Sequence, residues 1–371
     1  MLTLLGIEFG SRIVAYQPIL TSWRELQSNG LATNKSKSSG LHEFWGNGIK
    51  EYSFGDYANR ISLNSQPNST KVYRKSCSYL ILGDSYTFGW LVEFEEAFPS
   101  LIETYLNKDL SESRMIKFIN SGAGGWGLAD YPAYIEIFKE KLKRLNLNGI
   151  IIFVNIDDGR RAANSNLYSI SKFQDIPFAK KDNKNFISKK GLIKRTLNHP
   201  VISPIYNFSK KNSNFVRILK ILFLEKTIHI DPRKKIVENP PKLLTSGEKF
   251  ETNSNLTKEA KLKIDRSIID LQKQSSQLAP LLMVYTGVKP IEYMDPNNRY
   301  MFSSEFKTNA QSQGIKIDFS TLPRKELYPS SHIIKYDGHP NMKGHKSIAN
   351  HIINSKSVNS LRNFIETTCS N

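Results

Sequence analysis

The sequence predicts an α/β protein: a three-layer α/β/α sandwich on a mostly parallel sheet of about five strands, broken by one large insertion. Three observations carry this expectation. Short apolar runs, Tyr79 to Leu82, Met115 to Ile119, Ile150 to Val154, Leu281 to Tyr285 and a weaker Ile315 to Phe319, alternate with amphipathic segments. Continuous apolar runs of this kind are how strands read when helices cover both faces of a sheet. The polar and glycine-rich segments suited to chemistry follow the runs directly. That places them at the carboxyl edge, where open α/β sheets bind ligands.

Taken in order, residues 1–75 read as an N-terminal extension packing on the core. Ser28 to Gly40 is polar and loop-like. Leu41 to Trp45 and Ile49 to Phe54 supply aromatics to cover one edge, with His42 structural, and Asn64 to Thr70 is a second turn-rich stretch. Pro99 opens a helix with Leu101, Ile102, Tyr105 and Leu106 on one face. Joined through it, the first two strands form a right-handed crossover. Ala129 to Leu145 is a helix with Tyr134, Ile137, Phe138 and Leu142 aligned, and Asn341 to Asn354 is a final helix with Ile348, Ile352 and Ile353 inward. Residues 165–271 are rich in Lys, Asn and Ser, with apolar patches such as Ile218 to Leu224. A structureless loop of that length does not suit a compact domain. The stretch therefore reads as a basic, partly helical insertion or lid, which leaves 76–164 and 272–371 as the core domain.

With 371 residues, 39% of them hydrophobic, the chain can build one large domain carrying an insertion. Its formal charge of +18 would attract a polyanion, or it reflects a bias toward Lys and Asn. The lysines are scattered and no nucleic-acid motif accompanies them, so the bias is preferred and nucleic acid disfavoured as a partner. No run approaches the roughly 18 apolar residues of a membrane span. Met1 to Leu5 is apolar, but Glu8 follows early and no basic start or cleavage site is evident, so a cytoplasmic placement is the default. Cys77 and Cys369 offer neither a disulfide framework nor a metal cluster. No metal or organic cofactor is expected, and the sequence does not set the oligomeric state.

Four segments carry candidate chemistry. Gly83-Asp84-Ser85-Tyr86-Thr87-Phe88-Gly89 follows the first strand. Asn120-Ser121-Gly122-Ala123-Gly124-Gly125-Trp126-Gly127 follows the second; its glycines let backbone N–H groups approach an anion or oxyanion closely. It lacks the Lys-Ser/Thr ending of a phosphate loop, which sets nucleotide binding aside. Asn155-Ile156-Asp157-Asp158-Gly159-Arg160-Arg161 follows the third strand. Asp337-Gly338-His339-Pro340-Asn341 precedes the last helix, where an Asp beside a His could be a base and its orienter.

In this order the segments resemble the sequence blocks of the SGNH hydrolases of the GDSL type. The resemblance spans about Tyr79 to Asn164 and Leu281 to Ile353. It implies a flavodoxin-like strand order and a serine esterase needing no cofactor. Ser85 would be the nucleophile, His339 the base and Asp337 its orienter, with the N–H groups of Ser85 and Gly125 in the oxyanion hole. Asp84 would brace the turn. Two departures stand out. The family commonly places Asp three residues before His, where this chain has Tyr336; Asp337 is two before. The family's oxyanion Asn falls on Asp157, followed by Asp158, and an ionised carboxylate only accepts hydrogen bonds. Asn155, two residues earlier and expected on the same strand face, is the alternative donor. Arg160 and Arg161 are expected to pair with the two aspartates, with binding of an anionic substrate group as the alternative.

The expected substrate is a small-molecule or glycan acyl ester, foremost an O-acetyl group on a carbohydrate. The insertion is polar and basic, and its dispersed Tyr168, Phe173, Phe178, Phe186, Tyr206, Phe208 and Phe215 suit sugar rings or else form a small core of their own. Three other readings stand beside the esterase. They are an O-acyltransferase using the same Ser and His, a non-catalytic carbohydrate binder motivated by the missing third-block Asn, and a nucleic-acid binder suggested only by charge.

Overall fold

Side-chain alternation along five parallel strands divides the apolar core into two layers. In the computed structural model, which describes residues 23–44, 48–63, 77–108, 110, 115–155, 157–164, 258–286, 299–318, 329–334 and 337–369, these strands are β6 (Cys77–Gly83), β7 (Ile116–Asn120), β8 (Gly149–Val154), β9 (Leu281–Tyr285) and β10 (Lys316–Asp318). They lie in the order β7-β6-β8-β9-β10, all parallel. Numbered along the chain this is 2-1-3-4-5, the flavodoxin-like order, which reverses between β6 and β8. The expected five-stranded sheet is therefore present, its strands within a residue or two of the apolar runs.

Leu80, Leu82, Ile150, Ile152, Leu281 and Met283 face one helical layer, and Tyr79, Ile81, Ile151, Phe153, Leu282 and Val284 face the other. That is the period of two expected of strands buried on both sides. The first layer contains Tyr134, Phe138 and Leu142 of the helix Asp130–Lys143, with Ile264, Ile268 and Leu271 of Lys258–Ser275 and Phe306 and Ala310 of Ser304–Ser312. The second contains Ile102 and Leu106 of Phe98–Asn107, Ile348 and Ile352 of Met342–Asn354, and Leu361, Phe364 and Ile365 of Lys356–Cys369. Together they make a three-layer α/β/α sandwich. Ile137 and Ile353, expected inward, are only partly buried.

Three features differ from expectation. Residues 258–271 fall inside the stretch read as an insertion, yet they form most of a core helix whose Ile264, Ile268 and Leu271 are fully buried. Residues 165–257, with the seven aromatics and Ile218 to Leu224, lie outside the described residues, as do 1–22, 64–76 and Tyr336. Ser28 to Gly40 is not a plain loop. Arg24–Leu26 (β1) and Ala32–Asn34 (β2) form an antiparallel pair, and Ser39–Phe44 (β3) pairs with Gly48–Phe54 (β4), which pairs with Arg60–Ile61 (β5). Trp23, Tyr52 and Phe54 of this region bury against Phe88, beside the turn after β6.

The third difference is covalent. Cys77 and Cys369, expected to be without a disulfide, are bonded to each other with Cα atoms 5.6 Å apart. The helix Lys356–Cys369 brings the second cysteine back to the start of β6, where Tyr79 Oη meets Thr368 Oγ1 at 2.9 Å and Asn148 Nδ2 donates to the Thr368 carbonyl at 3.0 Å. Sequence spacing gave no sign of this, because 292 positions separate the two cysteines. The bond lies at the amino end of β6, away from the carboxyl edge. Reduction is expected to lower unfolding stability by about 2–5 kcal/mol, since so long a loop is freed. Urea denaturation with and without dithiothreitol reads the difference; an unchanged midpoint would mean the closure contributes nothing.

Candidate active site

The chain leaves β6 into a one-turn helix, Ser85–Phe88, whose N-cap Asp84 accepts from Tyr86 N–H at 2.9 Å. Ser85 is the first helical residue, so its own N–H has no intrahelical acceptor. The side chain is nearly buried, at 5% exposure. From the far end of the sequence the segment before Met342–Asn354 brings His339, whose Nε2 lies 2.8 Å from Ser85 Oγ. On the opposite side of the ring His339 Nδ1 bonds Asp337 Oδ1, which also accepts from the His339 N–H at 3.1 Å. The two-residue spacing works because Gly338 takes φ 88°, a left-handed conformation that folds the carboxylate back onto its neighbour. Burial pushes the Asp337 carboxyl up, but the charge and hydrogen bonds of His339 outweigh it and leave the group below its ordinary value. Tyr86 and Trp90 flank the imidazole, with ring centres 5.4 and 5.5 Å away.

Ser121–Gly127 runs alongside this turn. Ser121 N–H donates to the Ile81 carbonyl and Ala123 N–H to the Gly83 carbonyl, at 2.9 and 3.1 Å, continuing the edge of β6. Asn120 bridges the loops, donating from Nδ2 to the Thr87 carbonyl at 2.8 Å and accepting from Gly122 N–H at 3.1 Å. Gly125 has φ 76° and is buried.

The third block departs from its expected geometry. β8 ends at Val154, so strand alternation does not carry from Asn155 to Asp157. Asp157 lies 3.6 Å from Arg160 and 3.8 Å from Arg161. Asp158 is fully buried and accepts from Asn155 N–H at 3.0 Å and Tyr131 Oη at 2.7 Å. Asn155 is buried next to the Ser85 turn, and its Nδ2 donates to Asp84 Oδ2 at 2.9 Å. Arg161 Nη1 donates to that same oxygen at 2.9 Å and also to the Trp126 carbonyl. Burial acts to lower the Arg161 pKa, but Asp84, Asp158 and Asp157 overcome it and leave it above its ordinary value. Asp158 is pushed well up by burial and by the Asp84 charge.

Sequence reasoning missed the contribution of the N-terminal strands. Arg60 donates to the carbonyls of Phe88 and Gly89 at 2.9 and 2.6 Å, satisfying the end of the short helix. Asn34 Nδ2 donates to the Gly122 carbonyl and Arg24 Nη2 to the Gly124 carbonyl, each at 3.1 Å. No signal in a single sequence marks a lone Arg or Asn as a partner for a distant carbonyl. His42 is fully buried and shares a hydrogen bond with Tyr52 Oη at 2.9 Å. Among the described residues no group of three or more His, Cys, Asp or Glu could hold a metal ion, and no helix is long and apolar enough to cross a membrane.

No protein-family model matches the chain, and no curated protein sequence matches it. Among solved structures the chain is similar to several at low identity. TesA is 11% identical, with 77% of this chain and 99% of that chain covered and a TM-score of 0.39. A G-D-S-L family lipolytic protein from Veillonella parvula is 11% identical, with 74% and 96% covered and a TM-score of 0.35. A catalytic mutant of Axe2, an acetylxylan esterase from Geobacillus stearothermophilus, is 14% identical, with 74% and 92% covered and a TM-score of 0.36. What the site can do is read from its own geometry.

Two predictions follow from the charges around the site. Arg161→Leu strands the fully buried Asp84 carboxylate and is expected to cost about 3–5 kcal/mol of stability. Adding Asp84→Asn should recover part of that loss, and urea denaturation of both variants measures it. The second concerns acid. Burial lowers both His42 and His345 to about 3. Unfolded histidine takes up its proton near pH 6.5, so stability is full above that pH and drains as pH falls toward 3. The slope is about 1.4 kcal/mol per pH unit for each ring. His345→Gln should flatten the fall in urea midpoint between pH 7 and pH 4; an unchanged slope would remove this ring from the account.

Proposed function

We propose that this chain is a serine ester hydrolase that removes O-acyl groups, with O-acetyl esters of carbohydrates as the preferred class. One observation carries the reading: Ser85 Oγ, His339 Nε2 and His339 Nδ1 to Asp337 form a continuous hydrogen-bonded chain. A serine hydroxyl is a weak nucleophile until a base removes its proton, and a base acts only from within hydrogen-bond reach, which the 2.8 Å separation meets. In this mechanism His339 takes the Ser85 proton as Oγ attacks the ester carbonyl, while Asp337 holds the imidazole in orientation. The tetrahedral oxyanion rests on the N–H groups of Ser85 and Gly125, with Asn155 as a further donor through the amide hydrogen not given to Asp84. His339 then returns its proton to the departing alcohol, and water repeats the sequence on the acyl-enzyme.

The ligand class is supported by the half-buried ring of Trp90 beside His339, which suits the apolar face of a sugar ring. The Cys77–Cys369 bond bears on compartment, because cystines persist in oxidising surroundings. A setting outside the reducing cytoplasm suits the chain better than the cytoplasmic default.

The test is hydrolysis of short-chain acyl esters by the wild type, Ser85→Ala and His339→Ala. Each substitution is expected to lower kcat by at least about 1000-fold, and a fluorophosphonate should label the wild type but not Ser85→Ala. Activity that survives both substitutions sinks the assignment. For the substrate class, a chain-length series of acyl esters runs beside a panel of acetylated glycans. Rates rising steadily with acyl length while no glycan loses acetate would replace the carbohydrate reading with a lipid-type esterase. An added sugar acceptor that diverts the acyl group from water would identify a transferase.

A further inference from the structure

The backbone from Ala123 to Trp126 is a β-turn closed by Trp126 N–H on the Ala123 carbonyl at 3.4 Å. At its third position Gly125 has φ 76°, while Gly124 is not among the residues with positive φ, so the turn is of type II. Types I and II share their outer peptides and differ in the central one, which is rotated by roughly half a turn between them. Here the central peptide joins the Gly124 carbonyl to the Gly125 N–H. With glycine at the third position both forms are accessible to the backbone, so something else must select between them.

The surrounding partners show what does. Alternate carbonyls of the loop are each held by a buried side chain: Gly122 by Asn34, Gly124 by Arg24 and Trp126 by Arg161. On the N–H side, Ala123 donates to the Gly83 carbonyl and Gly127 to Asp130 Oδ2 at 2.8 Å. Among the described residues the N–H of Gly125, a buried residue, has no acceptor. Buried N–H groups are rarely left so, and such a group invites an acceptor from a ligand. Among the described residues no peptide is cis, and in a trans peptide the C=O and N–H point in opposite directions. The hydrogen bond from Arg24 Nη2 to the Gly124 carbonyl, 3.1 Å, therefore also sets the direction of the Gly125 N–H. A second bond, from the same nitrogen to the Ala32 carbonyl at 3.3 Å, anchors the guanidinium to the N-terminal strands. Burial lowers Arg24 to about 10, with Asp130 opposing the fall, so the group stays charged at neutral pH.

We propose that Arg24 is a positioning residue for the oxyanion hole, selecting the turn form in which the Gly125 N–H faces the acyl carbonyl at Ser85. The proposal deepens the esterase reading and rests on it for its catalytic half. Its structural half, that Arg24 sets the central peptide, stands apart from any reaction. The experiment uses the full chain with Arg24→Met, which removes the donors, and Arg24→Lys, which keeps a cation and can restore one bond. Crystal structures of the variants read the peptide directly. Loss of the positive φ at Gly125 in Arg24→Met supports the proposal, and an unmoved peptide overturns it, whatever the protein's reaction.

Kinetics with a short acyl ester read the second half. Removing an oxyanion donor costs about 100- to 1000-fold in kcat. A misdirected one in Arg24→Met is expected to cost about 10- to 100-fold, with KM within about threefold and partial recovery in Arg24→Lys. Affinity for a boronic acid analogue of the tetrahedral intermediate should fall in parallel. A merely structural role predicts lower thermal stability with kcat intact, and a folded Arg24→Met enzyme with wild-type kcat overturns the assignment. Should Arg24→Met not fold, Gly125→Ala decides. An L-residue at that position disfavours the type II form, so lost kcat at constant KM supports the proposal and wild-type kcat overturns it. An inactive wild type, or Ser85→Ala as active as wild type, would count against the esterase reading instead, and the crystallographic result would still judge the role of Arg24.

Discussion

A carboxylate with no access to water must be paired, and the top of this sheet is arranged around one. Asp84 is fully buried just past the end of β6, and its two oxygens hold the Ser85 turn through Tyr86 N–H, the third block through Asn155 and Arg161, and, through Arg161, the Trp126 carbonyl of the second block. Loops from three adjacent strands thus meet on a single buried carboxyl group. An unpaired buried charge would be far more costly than any one of these bonds is stabilising, so the loops are held as a set. The residue precedes Ser85 without joining the Ser85–His339–Asp337 hydrogen-bonded chain. It makes the sheet's switch point a place where backbone N–H groups and a serine can be held in register.

How much of this could be read beforehand depended on distance along the chain. Strands such as Leu281–Tyr285 were legible to the residue because burial on both faces leaves an uninterrupted apolar run. Met342–Asn354 was legible from the spacing of Ile348, Ile352 and Ile353; Asn341, read as its first residue, is its cap, with Oδ1 accepting from Gly344 N–H at 3.1 Å. The four site segments were visible because each is local and keeps its own signature. The approach of Asp337 to His339 was less so, since it depends on the backbone conformation of one glycine. Lys258–Ser275 escaped because its polar face is strongly charged and its buried stripe is narrow. The Cys77–Cys369 bond and the hydrogen bonds of Arg24, Asn34 and Arg60 join positions far apart in sequence, and local pattern carries nothing about them.

The N-terminal strands show a mode of packing that hydrophobic periodicity cannot detect. Turns at the carboxyl edge of a sheet expose carbonyls that need partners once water is excluded. Arg24, Asn34 and Arg60 supply donors from outside the sandwich, while Trp23, Tyr52 and Phe54 pack on Phe88. The Arg60 guanidinium also lies over the Tyr52 ring, 4.6 Å from its centre. Apolar contact and carbonyl capture act at the same place, so the segment read as an extension covering one edge of the core also becomes part of the wall behind the loops.

The cystine gives the molecule a second kind of continuity. Ser85, Gly125 and Asn155 lie between Cys77 and Asn164, while Asp337 and His339 lie between Lys258 and Cys369. A protease cutting anywhere between Asn164 and Lys258 would yield two polypeptides, one carrying the serine and the other its imidazole. With Cys77 bonded to Cys369, those pieces remain one covalent molecule, and the helices and strands of both halves keep their shared core. Cleavage there produces a two-chain form in which Ser85 and His339 stay tied through one disulfide.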